Sequence, residues 1–296
     1  MHPLKLLLTG VFFCFLLAVQ AQVPAGLVQE SLKMKSKLLG TEVKYTIYLP
    51  ADYNTSQRNY PVVYLLHGGG DDDTGWVQFG EIQRYADQAI ASGEIPPMII
   101  ITPDAKRTYY INDYQGKVRY EDMFVQELIP FIDSKYRTRP EKRYRGISGL
   151  SMGGYGALMY SMRHPELFSS CAAFSAAVRT DEEIASMEAN RYETGLGKLF
   201  GEALQKEARL TPHYRQYSIL DIIKTKPVEE LKKVKYYLDC GDDDFLTIGN
   251  ALLHAEMTKY SIPHEFRVRD GAHTWTYWRT GIINGLKFIG DGFRQI

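Results

Sequence analysis

The chain has 296 residues, 45% of them hydrophobic, with 35 basic and 35 acidic side chains. That suits one large globular domain with a substantial core. A formal net charge of zero removes the long-range field that would draw nucleic acid or an anionic membrane, so no nucleic-acid partner is expected and any charge used in binding is local.

The chain opens with Lys5 and an apolar run, Leu6 to Val19, followed by Ala21 and Gln22. A basic start, a short apolar stretch and a small residue before a cleavage point predict a secretory signal peptide over residues 1–21. The run is short of the roughly 20 apolar residues that a membrane span needs, and no small-residue lipobox precedes Cys14. Export to the periplasm or the exterior is therefore expected, without stable membrane insertion after cleavage. Residues 22–296 read as a single catalytic domain.

Within it, strand and helix patterns alternate. Lys44 to Leu49 and Tyr60 to Leu66 read as strands, Gly80 to Ser92 as a helix, and Met98 to Thr102 as an apolar strand. Tyr120 to Tyr136 has helical periodicity, with a possible kink at Pro130. A short strand, Tyr144 to Ser148, leads into a helix over Tyr155 to Arg163, and Phe168 to Phe174 is the next strand. Ala177 to Lys233 carries no clear strand, only helical pieces such as Asp181 to Asn190 and Leu220 to Thr225. Residues 178–233 thus read either as a cap beside a site or as surface decoration. Strands at Val234 to Cys240 and His264 to Val268 follow, each with a helix after it, Asn250 to Tyr260 and Thr276 to Phe288. This alternation predicts an α/β fold, a mostly parallel central sheet with helices on both faces and a helical insertion before the penultimate strand. Cys171 falls early in its strand and Cys240 at the end of its own. In parallel neighbours that offset is roughly 13 Å at about 3.3 Å per residue, too far for a disulfide.

The chemistry is concentrated at strand ends. Gly149-Leu150-Ser151-Met152-Gly153 is a G-x-S-x-G pattern between a strand and a helix. A serine is a useful nucleophile when a sharp turn exposes it beside a base and backbone N–H donors, and such a turn tolerates only very small neighbours. On this kind of fold the acid and then the histidine should follow in the chain. His273, in the loop after the last strand, is placed to reach Ser151. His164, His213, His254 and His264 fall in or beside helices and strands, and their positions suit structural roles. After the penultimate strand, Asp243 or Asp244 could reach back to His273. Asp239 is still within the strand, and Asp242 is tight against Gly241. The acidic turns at 71–73 and 242–244 lack the alternate spacing of a calcium loop, so neither a metal nor a cofactor is expected. His67-Gly68-Gly69-Gly70 follows a strong strand and can supply one half of an oxyanion hole, with the Met152 N–H as the other. His67 itself reads as structural.

Together, Tyr-Leu-Leu-His-Gly-Gly at 64–69, Gly-Leu-Ser-Met-Gly-Gly at 149–154, Asp-Cys-Gly-Asp-Asp-Asp-Phe-Leu at 239–246 and Gly-Ala-His-Thr-Trp at 271–275 resemble the esterase D group of α/β-hydrolases. That group includes feruloyl and acetylxylan esterases of carbohydrate esterase family 1, S-formylglutathione hydrolases and mycolyltransferases. The resemblance spans nearly all of the chain after the signal segment. It implies an α/β-hydrolase fold with Ser151, Asp244 and His273 as catalytic residues and Gly69 and Met152 as the oxyanion hole. It also implies a serine esterase acting on a small-molecule or oligosaccharide ester of feruloyl or acetyl type, and the export expected from the signal segment favours plant polysaccharide fragments as its source. The same triad would serve a general carboxylesterase, an S-formylglutathione hydrolase-like thioesterase or an acyltransferase. The residues themselves give a serine esterase, and a non-catalytic carbohydrate-binding relative would normally have lost a triad member. Trp76, Tyr110 and Trp275, with Tyr109, Tyr114 and Trp278 nearby, lie in or beside the motif loops. They are expected either to stack on the substrate or to pack in the core.

Overall fold

The computed structural model describes residues 24–294; the expected signal segment at 1–21 lies outside them. Eight strands form one sheet: β1 (Leu27–Ser36), β2 (Thr41–Leu49), β3 (Val62–Leu66), β4 (Ile99–Pro103), β5 (Arg145–Leu150), β6 (Ser170–Phe174), β7 (Lys235–Gly241) and β8 (His264–Arg269). Their order across the sheet is β1-β2-β4-β3-β5-β6-β7-β8. From β4 to β8 every pairing is parallel, while β2 runs antiparallel to both β1 and β4. β3, β4, β5 and β6 are buried along their whole length, as expected of parallel strands covered on both faces.

The covering helices separate into two groups. α1 (Ile82–Ala91) and the last helix pack with one face of the sheet, in a core that includes Ile82, Ala86, Ile282, Leu286 and Ile289. On the other face lie the helix after the central turn, residues 120–135 and the 178–233 segment, with Phe124, Leu158, Tyr160 and Leu253 in their core. In chain order the remaining long helices are α2 (Met152–Arg163), α3 (Thr247–Lys259) and α4 (Trp275–Arg294). The α/β-hydrolase architecture implied by the motifs is present, and among the described residues no helix is long and apolar enough to cross a membrane.

Several elements differ from expectation for identifiable reasons. β1 was not expected. Its burial alternates poorly, and a bulge between Gln29 and Leu32 breaks the register. Ser31 there has a φ of 52° and is held by the buried Asp73, which accepts from the Ser31 N–H and hydroxyl and from Thr46. The helix at 120–135 contains a π turn, Phe124–Leu128, just before Pro130. Proline has no N–H to donate to the carbonyl four residues back, and the wider turn absorbs that defect. Arg143 falls in a short 3₁₀ turn, Lys142–Tyr144, outside β5. Arg145, within β5, is buried and paired with Asp133 at 2.7 Å. The expected helical stretch at 181–190 is split into Asp181–Ser186 and Ala189–Tyr192, the second capped by Glu188.

Residues 178–233 form the crossover from β6 to β7 and fold as short helices against α2. Tyr155 donates its hydroxyl to the Tyr217 carbonyl at 2.8 Å, and Tyr217 in turn donates to Glu121 at 2.7 Å. Glu121, 3% exposed, also takes Arg163 and His164. Burial alone would raise its carboxyl, but the hydrogen bonds from His164 and Arg163 prevail and hold it at about 2. The register pairs Cys171 with Tyr236, four residues short of Cys240. Both cysteines are free and buried, and burial pushes each thiol up to about 12.

Candidate active site

Parallel register brings the chemistry to one edge. Leu150 pairs with Phe174 and Phe174 with Asp239, while Cys240 pairs with Val268. The residues that follow β5, β6, β7 and β8 therefore emerge side by side at the carboxyl ends of the strands.

Ser151 leaves β5 with φ 54° and ψ −116°, immediately before α2. Such a conformation costs a non-glycine residue on the order of 1–3 kcal/mol, and the surroundings hold it. The Ser151 N–H donates to the Phe174 carbonyl at 2.9 Å, and the Ser151 carbonyl accepts from Tyr155 and Ala177 at 3.0 Å each. The flanking glycines are steric requirements. A Cβ on Gly149 would lie 2.4 Å from the Gly153 carbonyl oxygen, and one on Gly153 would lie 2.4 Å from that of Leu66.

The Ser151 hydroxyl lies 2.9 Å from His273 Nε2, and the other ring nitrogen lies 2.8 and 3.0 Å from the two carboxylate oxygens of Asp244. Nδ1–H thus donates to the carboxylate, leaving Nε2 to accept from the serine. Asp244 is 2% exposed. Burial would raise its carboxyl, yet hydrogen bonds from His273 and the Leu246 N–H, and a contact from the Ser175 hydroxyl, hold it below the usual carboxylate range. Of the two aspartates, Asp243 is exposed, and Asp244 is the one whose carboxylate meets His273. Asp242 accepts from the N–H groups of Asp243 and Gly271, so it shapes the turn. Asp242, Asp243 and Asp270 bring carboxylate oxygens within 4.8 Å of one another, all exposed.

The loop after β3 lies over the serine. A Cβ on Gly68 would come within 3.6 Å of the Ser151 Cβ, whereas one on Gly69 would meet nothing within 4 Å. Gly69 therefore has open space where a side chain would stand, and Met152 is the first residue of α2, where N–H groups point out of the helix. Three buried rings brace this loop. Trp76 donates Nε1–H to the Leu66 carbonyl at 3.0 Å, and Tyr110 donates its hydroxyl to the His67 carbonyl at 2.9 Å. His67 Nε2 accepts the Ala105 N–H at 2.9 Å, and burial lowers its pKa, keeping it neutral.

This corrects two expectations. Trp76 and Tyr110 are 0% exposed and have no free surface for a substrate. Their polar atoms satisfy the carbonyls at the end of β3, so their role is to position the loop. Trp275 is half-buried, packed edge-on against Trp76 at 5.2 Å and beside the exposed Phe79 at 5.8 Å. Of the three expected contacts it alone keeps ring surface at the rim. Trp278 is buried and meets the His273 ring edge-on at 4.8 Å.

Two further residues were not anticipated. Ser175 is buried, has a φ of 44° and accepts Trp278 Nε1–H at 3.0 Å. Phe245 is 64% exposed with its ring 4.5 Å from that of His273. An aromatic directly after the acid was visible in the sequence, whereas a left-handed serine one position past a strand leaves no pattern. The arrangement can deprotonate a serine hydroxyl and hold a developing oxyanion. Among the described residues a separate concavity of about 600 Å³ lies along β7, β8 and α4 and includes none of these groups.

The family model described as "Putative esterase" matches residues 36–289. Esterase Rv1288 of Mycobacterium tuberculosis is 26% identical over 261 residues, 82% of this chain and 55% of that protein. An endo-1,4-beta-xylanase/feruloyl esterase of Xylanibacter ruminicola is 33% identical over 153 residues, 49% of this chain and 21% of that protein. The chain thus spans about half the length of the first of these relatives and a fifth of the second. Among solved structures, a ferulic acid esterase superposes with a TM-score of 0.79 at 31% identity, covering 91% of this chain and 99% of that one. An S-formylglutathione hydrolase from Agrobacterium tumefaciens superposes with a TM-score of 0.73 at 20% identity over 93% of this chain and 99% of that one, a likeness of fold.

Proposed function

The chain belongs to the Esterase family, and from that premise we propose that it is a carboxylic ester hydrolase that cleaves its substrate through Ser151, His273 and Asp244 with an acyl-enzyme intermediate. The observation that carries this reading is the continuous path from the Ser151 hydroxyl through His273 to the buried Asp244 carboxylate, with spacings of 2.9 and 2.8 Å.

In the proposed cycle His273 Nε2 takes the Ser151 proton as the oxygen attacks the ester carbonyl. Asp244 keeps the imidazole in the tautomer that leaves Nε2 free and stabilises the imidazolium. The N–H groups of Gly69 and Met152 hold the oxyanion, each donor worth about 2.7–4 kcal/mol of transition-state stabilisation. His273 then returns the proton to the departing alcohol, and water repeats the sequence on the acyl-enzyme.

For the substrate we propose feruloyl or acetyl esters on plant polysaccharide fragments, met outside the cytoplasm. Supporting this are the 31% identity with a ferulic acid esterase over nearly the whole chain and the xylanase-linked feruloyl esterase. The signal-like residues 1–21 support export. The test is ferulate or acetate release from feruloylated and acetylated xylo-oligosaccharides by the chain from Gln22 onward, beside Ser151→Ala. Release that the substitution abolishes is the expected result. Turnover of a simple aryl acetate with neither sugar ester cleaved would reduce the reading to a general carboxylesterase.

A further inference from the structure

The imidazole of His273 has two aromatic neighbours of opposite exposure. Trp278 is buried and meets it edge-on at 4.8 Å. Phe245 is 64% exposed, with its ring 4.5 Å from the imidazole and tilted by 49°. The backbone holds Phe245 in this position. On either side of it, Asp244 turns inward to His273 and Leu246 is buried. The Leu246 N–H donates to the Asp244 carboxylate and the Thr247 N–H to the Asp244 carbonyl, each at 2.9 Å, so two hydrogen bonds span the residue.

The apolar surface continues beyond this ring. Ile248 is 65% exposed near the start of α3, and Leu252, one turn further along the same helix, is 39% exposed. Among the described residues Phe245 and Ile248 are the two most exposed large apolar side chains. A lone exposed apolar residue is ordinary, whereas a strip of them that starts at a reactive group points to a contact with a ligand.

The chemistry of the cycle selects which part of an ester lies there. Nε2 of His273 returns its proton to the departing alcohol oxygen, so that oxygen has to come within hydrogen-bond reach of the imidazole. The carbons attached to it therefore begin beside His273. Asp244 occupies the Nδ1 side of the ring and Trp278 is buried, which leaves Phe245 as the aromatic neighbour with surface to offer those carbons.

We infer that Phe245 is the platform of the alcohol subsite, with Ile248 beyond it, so that the enzyme favours esters whose alcohol carries a ring with an apolar face close to the esterified oxygen. A sugar presents such a face through its C–H groups, and a cycloalkyl group presents one without hydroxyls. The assignment rests on the reading of His273 as proton donor to the alcohol, and it holds for either acyl group.

The ethyl and cyclohexylmethyl esters of ferulic acid and of acetic acid provide the test. Both alcohols are primary and similar as leaving groups, so the ratio of kcat/KM between them reads contacts to the alcohol. The unsubstituted protein should prefer the cyclohexylmethyl ester by about tenfold, the return on covering part of one aromatic face. Phe245→Ala should bring this ratio to about one, and Phe245→Trp should keep it. The ratio between ferulate and acetate at the ethyl ester should not follow Phe245→Ala. A ring that only shields or positions His273 would instead lower all four rates by one factor. That outcome, or an alcohol preference that survives Phe245→Ala, would overturn the inference. Thermal melting checks that each variant is folded. Hydrolysis of the esters without an alcohol preference would remove the subsite alone, whereas no hydrolysis of any of the four would remove the ester-hydrolase reading and the subsite with it.

Discussion

The interior of β7 and the turn that leaves it each bury a carboxylate, five positions apart. Asp239, 0% exposed, accepts from Arg269 through two nitrogens and from the hydroxyls of Tyr237 and Tyr277. Asp244 accepts from His273 and the Leu246 N–H. Arginine keeps its charge at every working pH, so the first cluster is a fixed brace between β7, β8 and α4. The imidazole can gain and lose a proton, and its second nitrogen faces the serine. The same side-chain type thus serves stability in one place and chemistry in the other, according to whether its partner can titrate.

Breaking the two clusters should separate these roles. The largest effect is at the nucleophile itself: Ser151→Ala should lower kcat by on the order of 10⁶-fold with little change in melting temperature, checked by initial rates and thermal denaturation. Asp244→Asn follows, with a loss in kcat of about 10⁴-fold because an amide favours the wrong imidazole tautomer. A melting temperature falling sharply alongside would show that this carboxylate is also a brace. For Asp239→Asn the expectation reverses. Leaving Arg269 without its counter-charge should cost about 3 kcal/mol of unfolding free energy in urea titration, with kcat changed by less than about tenfold.

Glu121 is the intermediate case, with both an arginine and a histidine as partners. Its folded pKa of about 2 lies below the usual 4.5. Its contribution is therefore complete above pH 4.5 and is lost as the pH falls towards 2. The contribution is about 3 kcal/mol by linkage, and Glu121→Gln should flatten the stability profile over that window. The smallest effect concerns Cys240, which lies between the two carboxylates in sequence. With its thiol and that of Cys171 pushed up to about 12, neither should react with a thiol reagent at neutral pH until the protein is unfolded.

Legibility in the sequence followed the same division. Ser151, Met152 and His273 stand in short segments with strong backbone demands, and glycine or chain order marks them; Asp243 and Asp244 stayed open on the residues alone, and it was the family resemblance that pointed to Asp244 and Gly69. The buried parallel strands were readable because both faces are apolar. β1 was not, since a bulge at Ser31 and one exposed face destroy its alternation. Trp76 and Tyr110 stayed open between stacking on substrate and packing in the core, because adjacency to a motif says nothing about which way a ring points. Ser175 was missed because its place depends on a φ value, a property of the assembled structure.

The crossover between β6 and β7 has a consequence for engineering. It leaves at Phe174 and returns at Lys235, on strands whose register is fixed by their own pairing from Ser170↔Lys235 to Phe174↔Asp239. Lengthening such a connection adds only about 0.6 kcal/mol of closure entropy per doubling. Residues 178–233 are nevertheless anchored, because Tyr192, Leu199, Phe200 and Ile223 belong to the core that holds Phe124 and Leu158. A graft has to restore those contacts, together with the bonds of Tyr217 to Tyr155 and Glu121, for Ser151, Asp244 and His273 to stay in register.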